Sequence, residues 1–151
     1  AIGKTLDLVS NQFPDHYYIG VDLNVENAKR VFGSKAGVEF IDGYAVDLME
    51  NGELAGDVIF FTTTACLFVP DELDRYIAAC RDAGFKYVVF CEPVFYHEKL
   101  DATYGPNSLH SIMHAWMHNY PGYLEKNGFT VERCLIDDNY SFSTIRYGFD
   151  I

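Results

Sequence analysis

The chain has 151 residues, is 49% hydrophobic and carries a formal net charge of −11. That is enough apolar material for one domain with its own core, and an acidic balance without a Lys/Arg cluster disfavours nucleic acid and anionic membranes as partners. The apolar runs are far shorter than a membrane span, and no basic-then-apolar leader is seen.

Residues 4–13, KTLDLVSNQF, place Leu6, Val9 and Phe13 on one helical face, and Pro14-Asp15 breaks it. A strand follows at 17–22. Asn24 is the expected N-cap of a helix through Phe32, which Gly33 ends. VEFID (38–42) is a second strand, and 48–54 a short helix or turn. DVIFFTT (57–63) is a third strand, apolar on both faces as a buried parallel strand is. Pro70-Asp71 opens a helix to about Ala83, with Leu73, Ile77 and Cys80 inward, and Gly84 stops it. KYVVFCE (86–92) is a fourth apolar strand. Residues 93–107 lack periodicity and read as a long loop.

Asn107 or Ser108 then caps an expected helix with Leu109, Ile112, Met113 and Trp116 on one side; Pro121 kinks or divides it and Gly128 ends the remainder. FTVERCLI and SFSTIRYGF, joined by DDNY, read as two strands joined too tightly for a parallel crossover, hence antiparallel. Alternation of helix and strand over the first 92 residues argues a parallel sheet with helices on both faces. No repeat, low-complexity tract or linker interrupts the chain, so 1–151 reads as a single domain. Cys66, Cys80, Cys91 and Cys134 form no CxxC pair and read as buried free thiols in a reducing compartment, here the cytoplasm.

In α/β nucleotide folds an acid at a strand's end reaches for a ribose, and Asp22 of GVDLN stands at such an end, 19 positions after Gly3. With that acid, the element order resembles the class I (seven-stranded, Rossmann-like) S-adenosylmethionine-dependent methyltransferases over essentially the whole chain. The resemblance implies a Rossmann-like, mostly parallel α/β sheet ending in an antiparallel hairpin, with S-adenosyl-L-methionine as cofactor. It makes Gly3 the last glycine of the Gly-rich loop, Asp22 the acceptor for both ribose hydroxyls and Leu23 the cover of the adenine. In the third motif Gly43-Tyr44-Ala45 stands where Gly-Asp-Ala is usual; Tyr44 replaces the acid, leaving Asp42 or the Ala45 amide for the adenine. Thr62, Thr63 and Thr64 offer hydroxyls and amides near the expected sulfonium, or plain strand-end hydrogen bonds. Leu67-Phe68 occupy the place of a Glu-His pair that many members carry before the proline. The first central strand and most of the Gly-rich loop are missing from these residues, and the natural chain is expected to supply them upstream.

On the acceptor side, Glu92, Tyr96 and Tyr104 are expected to bind substrate, Glu92 with loop capping as its plain alternative. His110, His114 and His118 recur every fourth residue and would share a helix face; without HExxH or an acidic cluster, no metal is expected. His118 is the first choice for a catalytic base and His97 the second. The expected function is methyl transfer to a small molecule, O- or N-directed. A nicotinamide-dependent oxidoreductase and a catalytically inactive, partner-binding methyltransferase-like domain are the alternatives. Oligomeric state is left open.

Overall fold

The computed structural model describes residues 3–94, 108–110, 115–133 and 143–145. The chain divides into two compact units, Ala1–Leu54 and Ala55–Ile151.

The first unit runs α1 (Lys4–Gln12), β1 (Tyr18–Asp22), α2 (Glu26–Phe32), β2 (Val38–Asp42) and α3 (Ala45–Glu50). β1 and β2 pair in parallel, from Tyr18 opposite Val38 to Asp22 opposite Asp42. The expected elements are therefore present, except that the short helix begins at Ala45, three residues before the predicted 48. Leu6, Val25, Ala28, Phe40, Val46, Met49 and Leu54 are its buried apolar residues. Gly20 sets how closely α1 approaches the sheet. A Cβ there would lie 2.7 Å from Cδ1 of Phe40 and 3.2 Å from Leu6. Gly20→Ala is accordingly expected to destabilise the protein by about 1–3 kcal/mol, the usual cost of overpacking a filled core. Urea denaturation measures it, and an unshifted midpoint would mean that the Phe40 ring relocates freely.

The second unit runs β3 (Val58–Thr62), a 3-10 turn (Ala65–Leu67), α4 (Pro70–Asp82), β4 (Tyr87–Val94), β5 (Ser108–His110), β6 (Trp116–His118), α5 (Tyr120–Lys126) and β7 (Ser143–Ile145). β3 and β4 are parallel, and β7 joins the other side of β4 antiparallel, Glu92 opposite Ile145. α4 matches its expected span. Pro70 fits the first turn, where its missing N–H costs nothing. Glu72 Oε2 accepts from the Val69 amide at 3.4 Å. Leu73, Ile77 and Cys80 are fully buried.

Aromatic rings build much of this unit's described core. Phe61 stacks on Phe90 (ring centroids 4.9 Å apart), Phe90 on Tyr120 (4.7 Å) and Phe68 on Tyr76 (4.4 Å). Asp74 on α4 ties down α5 by accepting from Lys126 Nζ (2.6 Å) and Asn127 Nδ2 (2.9 Å).

Three expectations change here. The helix predicted from Ser108 onward is instead the antiparallel pair β5–β6, with Ser108 opposite His118, Leu109 opposite Met117 and His110 opposite Trp116. His110 and His118 therefore share no helix face, and His114 lies outside the described residues. Burial outweighs the 3.6-residue pattern, because pairing places Met117 and His118 in the interior. Nor does Pro121 kink a helix. It opens one, behind Asn119, whose side chain accepts from the Gly122 amide at 3.2 Å. Of the predicted terminal hairpin, residues 129–133 form no strand, 134–142 lie outside the described residues, and β7 supplies the antiparallel strand.

Cys66 and Cys80 are buried free thiols and Cys91 is a half-buried one; Cys134 lies outside the described residues. Burial pushes the Cys66 and Cys80 thiols up to about 12, so both stay protonated and unreactive at neutral pH. No described helix is long and apolar enough to cross a membrane.

Candidate functional site

Open α/β sheets bind ligands beyond the carboxyl ends of their strands. In the first unit, Asp22 and Asp42 end β1 and β2 side by side. Both acids engage the start of α2. Asp22 Oδ1 accepts from the Asn24 amide at 3.1 Å, Asp42 Oδ1 from the Val25 amide at 3.0 Å, and Asn24 Oδ1 from the Glu26 amide at 3.2 Å. Three consecutive amides at a helix entry are thus satisfied by side chains, as a helix with orphan donors requires. Asn24 is the expected N-cap; the structural N-cap is Val25, one position later, and Asn24 still supplies a side-chain acceptor at the helix entry. Asp42 also pairs with Lys29 Nζ at 3.4 Å, an exposed contact of little energetic weight.

Asp42 is therefore committed to α2. Asp22 is half-buried, and beside it Leu23 stands 72% exposed, an apolar side chain in the open at the ligand edge. Tyr44 is the N-cap residue of α3, in an extended conformation, and Ala45 begins that helix. Gly3 precedes α1 with φ +76°, and a Cβ on it would meet Phe32 at 3.1 Å and Phe40 at 3.2 Å. Only glycine combines that backbone with that close approach, which is what the last glycine of a nucleotide-binding turn must do.

In the second unit, Thr62 ends β3 and the chain turns sharply. Thr63 has φ +53° and is the described non-glycine residue with a left-handed backbone. Its amide still reaches the Cys91 carbonyl at 3.2 Å, and Thr64 Oγ1 donates to the Thr62 carbonyl at 3.1 Å. Glu92, at 1% exposure, lies inward under this turn. Its Oε1 accepts from the amides of Thr64 and Ala65, both at 3.0 Å, and its Oε2 from Cys66 N at 3.3 Å. Burial pushes the Glu92 carboxyl up, and the three amides and the Cys66 thiol pull it the other way. Each of these partners is a donor, so the ionised, acceptor-only form is the one this enclosure fits.

His118 is fully buried, with Nε2 3.0 Å from the Phe68 carbonyl. A carbonyl only accepts, so Nε2 carries the proton and donates. Burial depresses the imidazole to about 4, against smaller opposing effects from the carbonyls of Phe68 and Ala65. The ring is neutral at pH 7 and packs edge-on to Tyr120 and Tyr123. It belongs to the interior and not to the rim of a cleft, unlike the helix-end position expected of a base.

Structure thus brings Thr64 and Glu92 together, and Asp22 beside Asp42. His97, Tyr96 and Tyr104 lie outside the described residues. Of the two expectations for Glu92, substrate binding and loop capping, its buried contacts match the second; the 3-10 turn and the burial of His118 had no signal in the local sequence. Among the described residues no cluster of three His, Cys, Asp or Glu could hold a metal.

No protein family profile and no curated protein sequence matches the chain. Solved structures do. SibL, an S-adenosylmethionine-dependent methyltransferase in its apo form, superposes with TM-score 0.73 at 14% identity over 99% of this chain and 48% of its own. An O-methyltransferase family protein from Burkholderia thailandensis gives 0.70 at 18% identity, over 98% and 48%. LepI in complex with SAM gives 0.70 at 9% identity, over 99% and 41%. The chain has the fold of the class I methyltransferases, and it spans about half the length of these structures' chains.

Proposed function

We propose that this chain is the cofactor-binding part of an S-adenosylmethionine-dependent methyltransferase acting on a small molecule, at oxygen or nitrogen. The observation that carries the reading is the fold, shared across nearly all of the chain with methyltransferases, in which Asp22 ends a parallel strand at the ligand edge. Asp22 fits a ribose. A carboxylate offers about four acceptor sites, so its bond to Asn24 is compatible with taking two hydroxyls. Leu23 fits the face of an adenine, and Gly3 the last glycine of a Gly-rich turn leading into α1.

When bound, S-adenosylmethionine supplies an already activated methyl group. The protein's part is then to align the acceptor and exclude water, and a base is needed only where the acceptor must lose a proton. Leu67-Phe68 in place of a Glu-His pair agrees with catalysis by alignment. We assign the acceptor side to the segment carrying Tyr96, His97 and Tyr104, with His97 as its base candidate in place of the buried His118.

Titrating the full-length protein with S-adenosylhomocysteine and, separately, with NAD tests the reading by calorimetry. Binding of S-adenosylhomocysteine alone is expected. Binding of NAD alone would make it a nicotinamide-dependent oxidoreductase, and binding of neither an inactive, partner-binding domain.

A further inference from the structure

We propose that Glu92 is a positioning residue: its buried carboxylate, gripping the amides of residues 64–66, fixes the turn after β3 without itself touching a ligand. For the ligand the inference rests on the methyltransferase reading, but the clamp stands on geometry alone. Three successive amides converge on one carboxylate that is 1% exposed, at 3.0, 3.0 and 3.3 Å. They follow Thr63, whose left-handed backbone is costly for a β-branched residue and persists only where its surroundings impose it. A second inward group holds the far end of the same segment, because His118 Nε2 donates to the Phe68 carbonyl.

Residues 63–68 are therefore pinned at both ends by side chains from later in the chain. The turn leaves Thr63, Thr64 and Leu67 exposed, at the strand end where this fold class places ligands. Glu92, facing the other way, acts through them. A one-ångström displacement of such a segment is enough to cost about a hundredfold in a reaction that depends on alignment.

Amide hydrogen exchange and calorimetry on the full-length protein test this. In the wild type the amides of Thr64, Ala65 and Cys66 are expected to be protected, although they belong to no strand or α-helix. In Glu92→Gln, whose carboxamide turns a donor toward these donors, the protection is expected to disappear. Affinity for S-adenosylhomocysteine should fall about tenfold, the equivalent of one hydrogen bond lost from the displaced turn, relative to Val88→Ala, a core variant in the same strand, compared at equal folded fraction. Glu92→Asp, which keeps the charge, should restore part of both.

Unprotected amides in the wild type would overturn the clamp. So would a Glu92→Gln affinity equal to that of Val88→Ala, since a merely structural Glu92 gives that result. Should Glu92→Gln fail to fold, the wild-type exchange pattern and the Glu92→Asp affinity decide in the same way. A wild type that binds no S-adenosylhomocysteine overturns the methyltransferase reading and the role toward a ligand, while the exchange pattern still judges the clamp separately.

Discussion

Replacing Asp22 with Ala in the full-length protein is expected to weaken S-adenosylhomocysteine binding by about two orders of magnitude, with folding largely kept. Hydrogen bonds to a charged acceptor are worth about 1.5–3 kcal/mol each. Asp22 is half-buried, so the lower end of that range applies. Two ribose hydroxyls at that value give about 3 kcal/mol, or two decades at about 1.4 kcal/mol per decade. The structural cost is smaller, because the carboxylate also accepts from the Asn24 amide at 3.1 Å, and losing such a cap costs about 1 kcal/mol. Calorimetry on both proteins, with a denaturation curve for each, separates the two effects. Equal affinities would reduce Asp22 to a helix-entry residue like its neighbour Asp42. Asp22→Asn sharpens the test, since it keeps one acceptor oxygen and loses the charge.

The second large effect concerns acid stability. His118 is depressed to about 4 in the folded protein, against 6.5 ordinarily. Below pH 6.5 the unfolded chain takes up a proton that the folded chain refuses. The stability linked to His118 is therefore present above 6.5 and lost as pH falls through about 4. A gap of that size corresponds to about 3 kcal/mol across the window. His118→Gln cannot protonate and keeps an N–H donor for the Phe68 carbonyl, so its stability should fall less steeply from pH 6.5 to 4. Glu92 works in the opposite direction, because a carboxyl raised by burial loses its contribution as pH rises through its folded value. That term is common to both proteins and cancels in the comparison. Parallel stability curves for wild type and variant would show that the ring is reached by water.

Much of the fold was legible from local chemistry. Apolar spacing, Pro70, Gly33 and Gly84 located helices because each acts within a turn of itself. Asp22 was legible for the same reason, as an acid at the end of an apolar run before a capped helix. The stretch from Ser108 to His118 was not. Leu109, Ile112, Met113 and Trp116 fit a helical period, yet Leu109 and Trp116 serve a strand pair, in which Leu109 meets Met117 and His110 meets Trp116. Pairing between strands is decided by partners, which local periodicity does not record.

Glu92 and His118 mark the boundary most clearly. As residue types they signal an acid and a base, and the sequence alone determined that a carboxylate would close a buried strand and an imidazole would stand before the Asn119-Tyr120-Pro121 break. Only the tertiary structure decided what each would do. It removed both from water and gave Glu92 three amide donors and His118 a carbonyl acceptor. Burial disfavours charge and makes any unpartnered polar atom costly. Once inside, each group was bound to satisfy the backbone nearest to it, and that backbone is the turn after β3, which packing brings to Glu92 from 26 to 28 residues away and to His118 from 50 residues away.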